Sequence, residues 1–191
     1  MSETEKRISR FPVPEQAGLP ADIQQIWEGA EERFGFVPNV VKALSHRPAE
    51  LRAFLAYNAA LTEKESGITP AEREMVIVAH SNHNGCAYCV ASHGAALRLA
   101  SGNSTLSDQV SVNYREADIT PRQKAMIEFA IKVTDDSRSI NGEDFETLRN
   151  HGFSNEDIWD IAGLTAFFNL SNRMISFVAI RPDAQFYAMV R

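Results

Sequence analysis

What this chain does without narrows what it can be. Of its 191 residues only two are cysteine, Cys86 and Cys89, so it is not one of the small secreted scaffolds that several disulfides hold together. It has no block of one charge: 19 Lys and Arg stand against 25 Asp and Glu, a formal net charge of −6. Without a basic stripe there is no electrostatic footprint for phosphates or anionic lipid, and neither nucleic acid nor a membrane surface is an expected partner. Nor is there an apolar run fit to cross a bilayer. The stretch from Leu164 to Ile180 is the most apolar, but Asn169, Asn172 and Arg173 break it, and it reads as a buried helix instead. Residues 1–10 mix charges and lack an apolar stretch, so no secretory signal is read there and a cytoplasmic location is expected. Apolar–polar alternation over a strand's length is absent too, which leaves an all-α class. A small ligand or a protein partner remains.

With 44% hydrophobic residues, a chain of this length suits one core. The expected layout is an N-terminal arm over 1–19 and a single helical domain over 20–191. Within the arm, Phe11-Pro-Val-Pro14 is extended, because proline fixes φ and restricts the residue before it; the arm packs either on its own domain or on a neighbouring subunit. Ile23, Ile26, Trp27 and Ala30 make one helical stripe ending near Gly35. A short helix with Pro38 in its first turn follows, and Pro48 opens another with Leu51, Phe54, Leu55 and Leu61 on its apolar face. Thr69-Pro70-Ala-Glu-Arg-Glu74 marks a stronger start. Thr69 can cap, Pro70 suits the first helical position, and the acidic residues favour the positive end of the dipole. The stripe Met75, Val76, Ala79 runs to Asn82-His-Asn-Gly85, after which Asn84 or Gly85 starts a helix that carries Cys86 to about Ala100. The result is a helical hairpin.

An offset of 51 residues aligns Ile68-Thr69-Pro70 with Ile119-Thr120-Pro121, Met75 with Met126, Ala79 with Ala130 and Leu97-Arg98 with Leu148-Arg149. The unit over about 68–100 thus recurs over about 119–151 as a duplicated helical unit; chance likeness of two capped amphipathic helices is the competing reading. Where the first unit has Glu74, Cys86, Cys89 and His93, the second has Ala125, Ser137, Ile140 and Asp144. It keeps the scaffold and none of the chemistry. Its helices are expected over Thr120 to about Thr134 and over Gly142 to Asn150. A long helix then runs from about Ser154 to Ile180, where Ser154-x-x-Asp157 resembles a capping box with Asp in place of Glu.

In a regular helix Cys86, Cys89 and His93 lie at i, i+3 and i+7 and share one face. Cys86 falls in the first turn, where free N–H groups and the dipole lower a thiol pKa from its usual value of about 8.5. Glu74 and His93 lie at similar distances from the turn, so antiparallel packing sets them at one height. Such a carboxylate orients the imidazole, and the imidazole moves protons for a thiol. The constellation is a proton relay ending in a dithiol.

Glu74-x11-Cys86-x2-Cys89-x3-His93 resembles the signature of the AhpD-like alkylhydroperoxidases, within the carboxymuconolactone decarboxylase superfamily. Ala-Leu-Ser-His-Arg-Pro (43–48), Asn-Gly-Cys-Ala-Tyr-Cys (84–89) and Phe-Phe-Asn-Leu-Ser-Asn-Arg (167–173) are similar to its peroxidase-related branch, and the likeness covers nearly the whole chain from Phe11. The resemblance implies an AhpD-like helical bundle that forms homo-oligomers, commonly trimers, dimers or hexamers. It also implies a thiol-dependent peroxidase without cofactor or metal. In that reading Cys89 attacks the hydroperoxide and becomes a sulfenic acid, Cys86 resolves it to a disulfide, Glu74 and His93 relay protons, and an external dithiol of lipoyl type restores the thiols. AhpD itself carries a histidine between the two cysteines where this chain has Tyr88, which moves a proton less readily near pH 7. The dipole favours Cys86 as the more acidic thiol and the family order favours Cys89; pairing with His93 outweighs the dipole.

The alternative is a non-enzymatic redox- or zinc-binding protein, because His80, His83, Cys86, Cys89 and His93 are five soft or borderline ligands within one hairpin. Tyr88 and His83 are accessory candidates. His80 and His83 otherwise line the helix end as hydrogen-bonded residues, and His46 and His151 sit beside turns as solvated or capping side chains. Asn169, Asn172 and Arg173 need polar partners within an apolar stretch and are read as interface and inter-helix residues, while Trp27 and Trp159 are read as core or interface packing. Decarboxylation, which the superfamily's name suggests, has no use for two cysteines.

Overall fold

The protein was analysed as a computed structural model that describes residues 7–191; residues 1–6 of the expected arm lie outside the described residues. Ten α-helices follow one another, and no strand occurs among the described residues. They are α1 (Ala21–Phe34), α2 (Asn39–Leu44), α3 (Pro48–Thr62), α4 (Pro70–His83), α5 (Ala87–Ser101), α6 (Leu106–Asn113), α7 (Pro121–Asp136), α8 (Gly142–Asn150), α9 (Asn155–Val178) and α10 (Ala184–Ala188). The all-α expectation holds. The short helices α6 and α10 were not foreseen, since neither is long enough to show a 3.6-residue period.

Local chemistry explains the starts. Thr69 accepts the Glu72 N–H while the Glu72 carboxylate accepts the Thr69 N–H, and Thr120 and Gln123 repeat that reciprocal cap one unit later. Asn141 with Asp144 and Ser154 with Asp157 make two more, with Asp serving where Glu is usual. Each cap satisfies two N–H groups that a helix start otherwise leaves open.

At the centre lies α4, packed against α5, α6, α7 and α9. A single apolar stripe was expected on it, but Met75 through Ser81 are all buried, because neighbours surround the helix on every side. Met126, Ile127 and Ala130 of α7 and Ile161, Leu164 and Phe168 of α9 complete this core. Each such large side chain, removed from water, contributes roughly 1.5–3 kcal/mol. A second cluster joins Ile23 and Trp27 of α1 to Val41 and Leu44 of α2 and Leu51 of α3. A third holds both cysteines, with Tyr88, Ala91 and Ala95 of α5, Ile175 and Val178 of α9, and Ile180 and Phe186 beyond it.

The described part of the arm packs on its own chain. The Arg10 N–H donates to the Val178 carbonyl (2.8 Å), the Arg181 N–H donates to the Ile8 carbonyl (3.0 Å), and the Phe11 ring stacks on His46 with centroids 5.5 Å apart. His46 in turn donates from Nδ1 to the Ala43 carbonyl at the end of α2 (2.8 Å), the capping role expected of it.

Candidate active site

The turn between α4 and α5 builds the site. Gly85 adopts φ 69°, a left-handed conformation that costs a glycine little, and the Cys86 N–H then reaches back to the Ser81 carbonyl (2.9 Å). This ends α4 and places Cys86 at the N-cap of α5 rather than inside its first turn. The expected start at Asn84 or Gly85 is thereby corrected: the left-handed residue breaks the helical run, and α5 can begin only beyond it. As cap, the Cys86 Sγ accepts the Cys89 N–H (3.4 Å). The two thiols are free, each residue is 1% exposed, and their sulfurs lie 2.6 Å apart in hydrogen-bonding contact.

That contact divides the two acidities. The hydrogen bond from Cys89 holds the Cys86 thiol down to about 7 from 9.0, against burial, with the Cys89 backbone N–H assisting. Cys89 is pushed up, first by the same contact and then by burial. The thiolate form of Cys86 at the N-cap is thus favoured over that of Cys89, and its proton-bearing neighbour steadies it.

Across the hairpin, Glu74 of α4 and His93 of α5 meet. Their Oε2 and Nδ1 atoms are 2.8 Å apart, with the side chains 19% and 26% exposed. An ionised carboxylate only accepts, so Nδ1 carries the proton and Nε2 is the nitrogen left for chemistry. The edge of Phe168 packs against the imidazole (centroids 4.7 Å) and fixes its plane from the α9 side.

Known structures give this arrangement a lineage. The alkylhydroperoxidase AhpD-core, peroxidase-related protein from Ralstonia eutropha JMP134 is 54% identical, covers 97% of each chain and superposes with a TM-score of 0.95. The chain belongs to the AhpD-like proteins of the carboxymuconolactone decarboxylase family. That family's sequence model matches residues 48–105, the span that includes α4, the turn and α5. An uncharacterized peroxidase-related protein from Silicibacter sp. TM1040 is 41% identical over 97% of each chain with a TM-score of 0.91. The debrominase Bmp8, at 17% identity over 98% of each chain and a TM-score of 0.77, shares the fold. Among curated proteins none matches the chain significantly.

Three candidate residues of this AhpD-like chain are engaged elsewhere. Tyr88 is bonded away from the Glu74–His93 pair: its O–H donates to Asp183 Oδ2 (3.2 Å) and its oxygen accepts the Val40 N–H (3.3 Å). The ring is buried and packs against Phe186, and burial beside Asp183 pushes the phenol further up. Asp183 also accepts the Asn39 N–H (3.0 Å) at the start of α2. Tyr88 therefore ties the first turn of α5 to α2 and to the chain beyond α9. His83 pairs with Asp135 of α7 (2.7 Å) at the surface. His80 is fully buried against Phe168, its Nε2 without a hydrogen-bond partner, and burial lowers its pKa from 6.5 to about 3. Among the described residues no three His, Cys, Asp or Glu side chains converge as a metal-binding group. Of the five ligands counted along the hairpin Cys86 and Cys89 meet, whereas His83 and His93 pair with carboxylates and His80 packs against Phe168.

A polar seam ties α9 to the turn and to α7. The Asn84 side-chain amide donates to Oδ1 of both Asn169 and Asn172 (2.9 Å each). Asn169 donates on to Thr134 of α7 (3.1 Å), and Asn172 donates to Ser81 Oγ (2.9 Å). Asn169 and Asn172 do join helices, as expected, and the polar side chains of Asn172, Ser171 and Ser176 favour the charged form of the dithiol against the effect of burial. Part of the signal was in the sequence: Asn172 and Ser176, one turn apart, share a face of one apolar helix. Nothing local said that the face meets the cysteines.

Proposed function

We propose that the chain is a thiol-dependent peroxidase of alkylhydroperoxidase type that reduces hydroperoxides through Cys86 and Cys89. The observation that supports this reading is a dithiol with sulfurs 2.6 Å apart on a hairpin whose Glu74 and His93 are paired at 2.8 Å. Cys89 attacks the O–O bond, and its proton passes to the Cys86 thiolate, an acceptor already in contact. The Cys89 sulfur gains hydroxyl as a sulfenic acid, and the alkoxide that leaves takes a proton that the Glu74–His93 pair relays from solvent. The Cys86 thiol then attacks that sulfenic sulfur; hydroxide departs with the Cys86 proton as water, and a disulfide remains. A disulfide needs its sulfurs at about 2.05 Å, so closing the bond asks for little movement. An external dithiol returns both electrons and protons. The cycle uses no cofactor and suits a reducing, cytoplasmic setting, where both thiols stay free. No helix of the described residues is long and apolar enough to cross a membrane.

Self-association belongs to the same proposal. Trp159, Leu170 and Phe177 line the outer face of α9, with Trp159 73% exposed, and Tyr57 of α3 is exposed beside them; α3 packs on α9. Monomers rarely leave so large an apolar face open.

The test is a count of free thiols before and after one equivalent of hydroperoxide, followed by turnover with a panel of dithiols. Loss of two thiols per chain to an intramolecular disulfide is expected, and an unchanged count would sink the reading. Trapping the sulfenic acid in Cys86→Ser and Cys89→Ser checks the order of attack. It is expected on Cys89 in Cys86→Ser; a sulfenic acid that forms at the normal rate on Cys86 in Cys89→Ser reverses the roles.

A further inference from the structure

Cys86 belongs to a turn and Cys89 to a helix, so the way the two sulfurs face each other depends on how that turn is held. Its geometry is set by the end of α4. With Gly85 at φ 69°, the Cys86 N–H donates to the Ser81 carbonyl (2.9 Å) and the Gly85 N–H donates to the Asn82 carbonyl (2.9 Å), the paired bonds of a Schellman motif. Cys86 closes this motif and also caps α5, where its Sγ accepts the Cys89 N–H (3.4 Å). Whatever moves Ser81 therefore moves Cys86. One side chain of α9 grips the turn at two points: Asn172 donates from Nδ2 to Ser81 Oγ (2.9 Å) and accepts at Oδ1 from the Asn84 amide (2.9 Å). Asn172 is 2% exposed and Ser81 is fully buried, so water does not compete for these bonds and a satisfied buried network is rigid. Asn169 shares the Asn84 amide (2.9 Å), but its own amide goes to Thr134 of α7 (3.1 Å), away from the turn.

We infer that Asn172 is a positioning residue of the dithiol: by clamping Ser81 and Asn84 it fixes the turn that carries Cys86, and so holds the Cys86 sulfur in register with Cys89 for disulfide closure. The effect needs no contact between the amide and either sulfur, because it travels through the Ser81 carbonyl and the Cys86 backbone. On oxidation the two thiols give up two electrons and two protons and one S–S bond forms. A turn already fixed loses little freedom in that step, whereas a loose one must be ordered first, which disfavours the disulfide. Asn172 thus sets how readily the oxidised centre is reduced again. The inference rests on the dithiol being the redox centre, but its test does not depend on peroxide turnover.

The experiment equilibrates the full chain with mixtures of reduced and oxidised dithiothreitol and counts the free thiols of the chain at each ratio. Asn172→Ala is expected to weaken the Cys86–Cys89 disulfide about tenfold relative to the wild type, a potential about 30 mV less negative. Ser81→Ala removes the acceptor with little change in bulk, and it answers the question should the first variant fold poorly; the disulfide is expected to weaken about threefold. Thr134→Val cuts the arm of the same seam that runs to α7, so it lowers the melting temperature and leaves the equilibrium at the wild-type value. If folded Asn172→Ala or folded Ser81→Ala keeps the wild-type equilibrium, or if Thr134→Val moves it as far as they do, Asn172 is only a helix tie and the inference falls. If the wild type forms the disulfide yet turns over no peroxide, the proposed function fails while shifted equilibria still uphold the positioning role; if no such disulfide forms, both fall.

Discussion

The hairpin α4–α5 and its counterpart α7–α8 begin alike and part company at the turn. Thr69 with Glu72 and Thr120 with Gln123 close the same reciprocal cap, and Met75, Ala79, Met126 and Ala130 enter one core. Beyond that, α5 starts directly at Cys86, while the position matching it, Ser137, opens a short 3-10 turn and α8 waits for Asn141 as its cap. Asp144, where the first unit has His93, is held by Lys132 (2.7 Å). Both caps satisfy a helix end. Only one does so with a sulfur, and that choice turns the open N–H groups of a helix into support for a thiolate. Chemistry entered this duplicated frame by changing who performs a structural task, at a cap and across a hairpin, with the frame itself left alone.

Making the first unit resemble the second tests this. Cys86→Ser, which restores the serine of the second unit, and Cys89→Ser are each expected to cut peroxide turnover about a thousandfold or more, checked by steady-state assay with a saturating dithiol. Glu74→Ala copies Ala125 and removes the group that orients His93; a loss of about a hundredfold in kcat is expected, and an undiminished rate would remove the relay from the mechanism. His80→Ile copies Ile131. His80 is neutral in the folded state because its pKa falls from 6.5 to about 3, so its contribution to stability is complete above pH 6.5 and is lost as the pH falls toward 3. From pH 6.5 to 5 the wild type is expected to lose about 2 kcal/mol by this route. Urea unfolding at the two pH values should show a smaller loss in the variant. The smallest effect belongs to Lys132→Ala, which frees Asp144: less than about 1 kcal/mol of stability and no change in turnover.

Much of this was legible because it was local. Thr-Pro followed by Glu or Gln announced α4 and α7, and the spacing from Glu74 to His93 set both at one height on a hairpin. What escaped depended on distant partners. Tyr88 read as a departure in the relay because its partner Asp183 lies beyond α9 in the chain, and the partners that Asn172 was expected to need, Asn84 and Ser81, could not be named because they are set by how α9 crosses the turn. The placement of Cys86 was missed by one or two residues for a subtler reason. Glycine can begin a helix or stand just before one, and only its backbone conformation decides which.

The tie from Tyr88 to Asp183 also bears on the protein's life at the ribosome. The hairpin that carries both thiols is complete long before Ile180, Asp183 and Phe186 emerge, and Arg98 of α5 must wait to grip the carbonyls of Phe186 (2.6 Å) and Met189 (2.9 Å). Until those residues arrive, the two sulfurs lack part of their cover and Tyr88 its anchor. The nascent chain therefore passes through a stage in which its two thiols already share one hairpin but lack the cover that the last residues give them.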